Sequence, residues 1–98
     1  MATPLTLHWT PIAIGHLRAT YEYVAQDNEK AADSVIERIL SAAEMLSQYP
    51  QLGRAGRAPN TRELVIAGTP FVVVYSLKRT QVRILAVFHT ARRWPEVF

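Results

Sequence analysis

The segment RELVIAGTPFVVVYSLKRTQVRILAVF, residues 62–88, is the most informative part of the chain about its fold. It contains three runs typical of strands, over residues 62–66, 71–77 and 81–88, separated by short links rich in turn-forming or polar residues. The middle run holds three consecutive valines, and β-branched residues at successive positions are typical of a strand that is covered on both faces. The segment therefore predicts three strands of a mainly antiparallel sheet.

The first half of the chain predicts one strand followed by two helices. Residues 5–9 alternate apolar and polar side chains, which is the period of a half-buried strand. Thr10 and Pro11 form an N-cap and a first helical position. Apolar residues at helical spacing then predict a helix over residues 11–26; they are Ile14, Leu17, Tyr21 and Val24.

A second helix is predicted to begin after Asp27 and Asn28, which are both favourable N-cap residues, and to end before Pro50 and Gly53. The link between the two helices is so short that they should pack as an antiparallel hairpin. Residues 51–61 show no periodicity and predict a loop. The order is then β-α-α-β-β-β. We expect an α+β fold, with the helical hairpin packed on a mainly antiparallel four-stranded sheet.

Length and composition favour one globular domain over residues 1–98. The chain is 49% hydrophobic and 19% charged, which is enough apolar material for a core. It has no cysteine, so disulfides and cysteine-ligated zinc are excluded. The apolar runs are of strand length, and we expect a cytoplasmic protein without a membrane span, a metal, a cofactor or a small-molecule substrate.

The charges are distributed unevenly along the chain. Residues 1–49 carry three cationic and six acidic side chains, a net charge of −3, whereas residues 50–98 carry eight and two, a net charge of +6. This asymmetry suggests a cationic face that binds nucleic acid or an acidic protein segment. Charges of both signs are also ordinary on soluble surfaces, so the pattern alone leaves a solvated surface as an equal alternative.

Two groups of residues are candidates for chemistry or binding. His89 follows the last predicted strand and precedes Arg92, Arg93 and Trp94; histidine suits proton transfer near neutral pH, and guanidinium groups bind phosphates. A plain polar tail is the simpler interpretation of this segment. The second group is basic and lies in the predicted loop and at the next strand; it comprises Arg54, Arg57 and Arg62. Such groups can position RNA or receive an acidic segment of a partner. The two other histidines, His8 and His16, are expected at ordinary surface or edge positions.

The segment 52–95 resembles the RelE/ParE superfamily of toxins. The resemblance is carried by Gly-Arg-x-Gly-Arg at residues 53–57, Thr-Arg-Glu-Leu at 61–64, Gly-Thr-Pro before the valine-rich strand that ends in Tyr75, and His89-x-x-Arg92 before Trp-Pro. The predicted element order resembles the family across nearly the whole chain. The resemblance implies a toxin of a type II toxin–antitoxin system, whose partner is a cognate antitoxin protein.

The superfamily has two branches with different targets. The RelE-like branch cleaves messenger RNA in the ribosome without a metal, and the ParE-like branch has no hydrolytic activity and inhibits DNA gyrase. RelE-like nucleases usually bear an arginine three residues before the tyrosine that matches Tyr75, and this chain has Val72 there. The departure favours a ParE-like gyrase inhibitor, which is not an enzyme. The alternative is an endoribonuclease that uses Arg62, His89 and Arg93.

Overall fold

The computed structural model describes residues 3–91 as two layers, a helical hairpin packed on a five-stranded sheet. The elements in chain order are β1 (Thr6–Trp9), α1 (Pro11–Ala25), α2 (Glu29–Met45), β2 (Arg54–Ala55), β3 (Arg62–Val65), β4 (Phe71–Lys78) and β5 (Gln81–His89). The predicted α+β class and the helical hairpin are confirmed. None of the helices in the described range is long and apolar enough to cross a membrane.

Local signals begin both helices as the sequence predicts. The Thr10 hydroxyl accepts a hydrogen bond from the Ala13 amide at 3.2 Å, and the Asn28 side chain accepts one from the Ala31 amide at 3.1 Å. Each bond satisfies an amide that the first turn of a helix leaves without a partner. The Thr10 hydroxyl also donates to the Ile84 carbonyl at 2.8 Å, so the cap joins α1 to the sheet.

The sheet has the strand order β1-β5-β4-β3-β2, with β1 parallel to β5 and the other pairs antiparallel. The prediction of four strands is therefore wrong in the number of strands, because the segment 51–61, predicted as a loop, contains a further strand. Arg54 and Ala55 form a short fifth strand, paired with Glu63 and Arg62. Two residues carry no detectable periodicity, and long-range hydrogen bonds rather than local preference fix this strand.

A β-bulge in β5 sets which of its residues face the helices. Val74 is opposite Ala86 and Tyr75 is opposite Ile84, so Leu85 is the extra residue. Without the bulge, Ile84 would share a face with Ala86. With it, Ile84 packs in the helix-side core together with Val87, three positions further along.

Apolar side chains cover the sheet on both faces. The helix-side core contains Ile39 and Leu46 of α2 together with Val73 and Tyr75 of β4. The opposite face, which we call the outer face, carries a separate buried cluster, the outer cluster: Val72, Val74, Ala86 and Phe88. The prediction that the valine run is buried on both sides is confirmed, since its three residues are at most 1% exposed.

Helix α1 is rotated relative to the predicted apolar stripe. Leu17 and Val24 pack against the core as expected, but Ile14 is 44% exposed, and Ala13 and Thr20 are buried instead. Small side chains allow α1 to approach the sheet closely, which a count of large apolar residues does not detect. The rotation also turns His16 inward, so the prediction of an ordinary surface histidine is wrong there; His8 is exposed as expected.

Candidate functional site

Strands β2 and β3 form a tight hairpin, which we call the arginine hairpin and define as residues 53–62. The Gly56 amide donates to the Thr61 carbonyl at 2.8 Å, which closes a tip of four residues. The Thr61 hydroxyl also donates to the Ala58 carbonyl of the tip at 2.7 Å, and Asn60 in the tip adopts a left-handed backbone with φ of 62°. The basic segment is therefore a defined hairpin rather than an irregular loop.

Glu63 anchors the two exposed arginines of this hairpin. Its side chain is only 2% exposed and accepts a hydrogen bond from the Arg57 amide at 2.9 Å. Its carboxylate oxygens also lie 3.5 Å from Nη2 of Arg54 and 3.9 Å from Nε of Arg57. Because these two side chains remain 66% and 58% exposed, they can still donate to a carboxylate or phosphate of a partner.

The outer face beside these arginines is apolar. Cross-strand register places Glu63 next to Val74, and Val74 next to Ala86. The guanidinium carbon of Arg57 lies 5.6 Å from the ring centre of Phe88, within the range of a cation–π interaction. The Arg57 side chain therefore contacts both the Glu63 carboxylate and the outer cluster.

On the other face, Tyr75 and Arg62 hold the base of the arginine hairpin. The buried Tyr75 hydroxyl accepts a hydrogen bond from the Gly53 amide at 2.8 Å and donates one to the Pro50 carbonyl at 2.8 Å. Nη1 of Arg62 donates to the Gly53 carbonyl at 2.6 Å. Burial raises the pKa of Tyr75, although the Gly53 hydrogen bond and the Arg62 charge act in the opposite direction, so the hydroxyl keeps its proton as a donor.

The structure separates the residues that the sequence groups as a possible nuclease site. Arg62 is opposite Tyr75 and His89 is opposite Phe71, so the two are four residues apart along β4, about 13 Å, and on different neighbouring strands. Arg93, the third member, lies outside the described residues, as do Arg92 and Trp94.

His89 sits in an aromatic environment on the helix side. Its ring makes edge contacts with Phe71, at 5.2 Å between ring centres, and with Tyr23 of α1, at 6.3 Å. Its Nδ1 accepts a hydrogen bond from the Ala91 amide at 3.0 Å, which leaves the proton of a neutral ring on Nε2. These contacts are typical of a packed histidine at a strand end.

The sequence reasoning missed three residues that build the site, Glu63, Tyr75 and Gly53. Glu63 is an isolated acidic residue among arginines at a strand position, which is the signal that marks a buried ion-pair partner. Gly53 and Tyr75 belong to the residues that carry the family resemblance, but their contact joins positions 22 apart and has no local signature. Among the described residues, no group of three or more histidine, aspartate or glutamate side chains is arranged to hold a metal ion.

Comparison with known proteins assigns the chain to a family. The family described as the ParE toxin of the type II toxin–antitoxin system parDE matches residues 7–94. The chain is 40% identical to Y4kP of Sinorhizobium fredii, a protein named as a candidate toxin, over 93% of this chain and 94% of the other. It is 36% identical to the toxin RelE2 of Caulobacter vibrioides, over 86% of this chain and 93% of that toxin.

Solved structures show the same fold. A chain of the chromosomal ParDE toxin–antitoxin system from P. aeruginosa superimposes with a TM-score of 0.78 at 26% identity, over 87% of this chain and 95% of the other. The RelBE2 complex of Mycobacterium tuberculosis gives a TM-score of 0.60 at 24% identity, over 89% and 99% of the two chains. The chain therefore belongs to the ParE family of the RelE/ParE superfamily, and it is the toxin of a type II toxin–antitoxin system.

Proposed function

We propose that the free toxin stops growth by inhibiting DNA gyrase through protein contact, and that a cognate antitoxin binds and neutralises it in the cytoplasm. The observation that carries the proposal is the outer cluster. At the position where the nuclease branch usually has an arginine, Val72 is 1% exposed and packs with Val74, Ala86 and Phe88.

A buried valine is unsuited to RNA cleavage for an electrostatic reason. Phosphodiester cleavage places additional negative charge on the phosphate, and catalysis needs a cation or a donor aimed at that charge. Val72 supplies neither, and its neighbours on β4 and β5 are also apolar. The residues of the outer cluster are at most 7% exposed, so the groups that this side of the sheet offers to a partner are the exposed Arg54 and Arg57. Two exposed guanidinium groups suit contact with an acidic surface of a macromolecule through charge complementarity.

The separation of Arg62 and His89 supports the same proposal. A proton-transfer group and a charge-stabilising group must meet at one phosphate within hydrogen-bond distance. Arg62 is engaged with the Gly53 carbonyl, and His89 ends β5 opposite Phe71, between two aromatic rings. The proposed contact residues for gyrase or the antitoxin are the exposed Arg54 and Arg57, with Arg62, His89, Arg92, Arg93 and Trp94 as further candidates.

A supercoiling assay with purified gyrase tests the proposal. Wild-type toxin in excess should abolish supercoiling of relaxed plasmid, and the double variant Arg54→Gln/Arg57→Gln should inhibit much less. The matched control is Arg18→Gln/Lys30→Gln, which removes two exposed cations from the helical layer and should inhibit as wild type does. Normal supercoiling in the presence of excess wild-type toxin would reject gyrase as the target.

Primer extension on cellular messages tests the nuclease alternative. After induced expression of the toxin without antitoxin, the messages should remain uncut. Cleavage at codon positions that disappears with His89→Ala would establish the endoribonuclease instead. Normal growth with both gyrase and messages unaffected would identify an inactive member that acts only as a binding module.

A further inference from the structure

A buried hydrogen-bond network joins the centre of the sheet to the base of the arginine hairpin. Tyr75 has no exposed surface, and its hydroxyl binds both the Gly53 amide and the Pro50 carbonyl, each at 2.8 Å. Arg62 binds the carbonyl of the same glycine at 2.6 Å. Both backbone polar groups of Gly53 are thus held by side chains of other strands, immediately before Arg54 begins β2.

The close approach at Gly53 shows how tightly this junction is fixed. A Cβ at this position would lie 2.7 Å from Oη and 2.8 Å from Cε1 of Tyr75, closer than side-chain carbons approach in folded proteins. The Tyr75 ring therefore occupies the space that any other residue type would need. This contact fixes the start of β2 against β4, in addition to the pairing of β3 with β4.

The network and the arginines lie on different faces of the sheet. Tyr75 is opposite Arg62 on the helix side, whereas Glu63 is opposite Val74 on the outer face and receives Arg54 and Arg57. Because β2 is only two residues long, its own ladder provides little restraint. The junction at Gly53 is the second attachment point that fixes the direction of the hairpin.

We propose that Tyr75 and Arg62 are positioning residues, which set the geometry of Arg54 and Arg57 for target binding although the Tyr75 hydroxyl is buried and touches no partner. This inference rests on the proposed role of the two arginines. It predicts that removal of the buried Tyr75 hydroxyl weakens binding of the target, although this hydroxyl lies on the helix side of the sheet and the two arginines lie on the outer face.

Amide hydrogen exchange of the free toxin tests the positioning directly. In Tyr75→Phe, the ring stays and only the hydroxyl is lost, and the amides of Gly56 and Arg57, which bind Thr61 and Glu63, should exchange about tenfold faster. Amides in the middle of β5 should change less. The control is Ile39→Val, which removes a methylene from the buried core without touching the hairpin and should not accelerate these two amides selectively.

Two exchange results would overturn the inference. One is unchanged exchange at Gly56 and Arg57 in Tyr75→Phe, and the other is equal acceleration across the whole protein, which would show a loss of global stability only. The exchange experiment needs no gyrase, so it decides the positioning role even if gyrase is not the target.

Gyrase inhibition supplies the functional readout. Tyr75→Phe removes both hydrogen bonds of the hydroxyl and should raise the concentration for half inhibition by about tenfold. If the hydroxyl acts through the arginines, Arg57→Gln should cost less in the Tyr75→Phe background than in wild type. If the losses of inhibition in Tyr75→Phe and Arg57→Gln were fully additive, the proposal would be contradicted. In a separate comparison, Arg62→Lys, which retains a hydrogen-bond donor, should inhibit gyrase more strongly than Arg62→Ala.

Discussion

At the scale of single residues, two glycines show opposite constraints. Gly53 has Tyr75 and the Glu63 carbonyl within 2.9 Å of the position a Cβ would take, whereas Gly15 has no atom within 4 Å of that position apart from its chain neighbours and the backbone of α1 itself. The first glycine is required by a close approach. The second only weakens a helix, because glycine loses more backbone entropy than alanine on folding.

Replacement by alanine should therefore change the free energy of unfolding in opposite directions at these two sites. Gly53→Ala should lower the free energy of unfolding by about 1–3 kcal/mol, since the methyl group overpacks the junction. Gly15→Ala should raise it by about 0.5–1 kcal/mol. Urea denaturation, monitored by circular dichroism, measures both changes. An unchanged free energy of unfolding in Gly53→Ala would show that the junction has room for a methyl group.

His16 makes stability depend on pH. Its Nδ1 accepts a hydrogen bond from the Val87 amide at 3.2 Å, and burial lowers its pKa below the ordinary value of 6.5. The folded protein thus binds a proton at His16 more weakly than the unfolded chain does. Protonation favours unfolding, so this contribution to stability is present above about pH 6.5 and is lost as pH falls through the lower folded pKa.

We therefore expect the free energy of unfolding to fall as pH drops below about 6.5, and to fall less in His16→Gln. Glutamine retains an acceptor for the Val87 amide but does not titrate. Denaturation series at several pH values measure the difference. Identical pH profiles for the variant and wild type would exclude His16 as the responsible group.

At the scale of elements, long-range contacts mark the limit of what the sequence predicts. The helices and β4 follow from caps, spacing and the valine run, because these signals lie within each element. The two-residue strand β2, the bulge at Leu85 and the rotation of α1 depend on partners far along the chain. The charged groups of the site were found as residue types, but the buried Glu63 and Tyr75 that orient them were not.

The double coverage of β4 gives a prediction at this scale. Val74→Asp should destabilise the fold by about 3 kcal/mol or more, because Val74 is fully buried and opposite Glu63, so the new carboxylate would be desolvated beside another buried carboxylate. The control is Val65→Asp, on the same face of β3 but 51% exposed, which should change stability by about 0.5 kcal/mol or less. A loss below about 1 kcal/mol for Val74→Asp would place the strand outside the core.

At the scale of the whole molecule, charge separates between the two halves of the chain. Residues 1–49, which contain both helices and β1, carry a net charge of −3, whereas residues 50–98, whose described part contains the other four strands, carry +6. The described cations of this second segment include Arg54 and Arg57 beside the apolar outer cluster. Cations exposed on one side of a molecule attract an acidic partner at long range, before contact is made.

Association with gyrase should accordingly slow as salt is added. We expect the association rate constant to fall by about tenfold between low salt and about 0.5 M salt, with a smaller change in dissociation, because screening acts on long-range attraction. Surface plasmon resonance measures both rates. Salt-independent association would show that the charge separation has no role in binding.

Induction of the toxin in cells, without antitoxin, distinguishes gyrase inhibition from RNA cleavage when plasmid topology and message integrity are followed in the same culture. The buried Val72 and the separated Arg62 and His89 predict that plasmid supercoiling is lost while messages stay intact. Messages cut at codon positions in a culture with normal supercoiling would contradict this prediction.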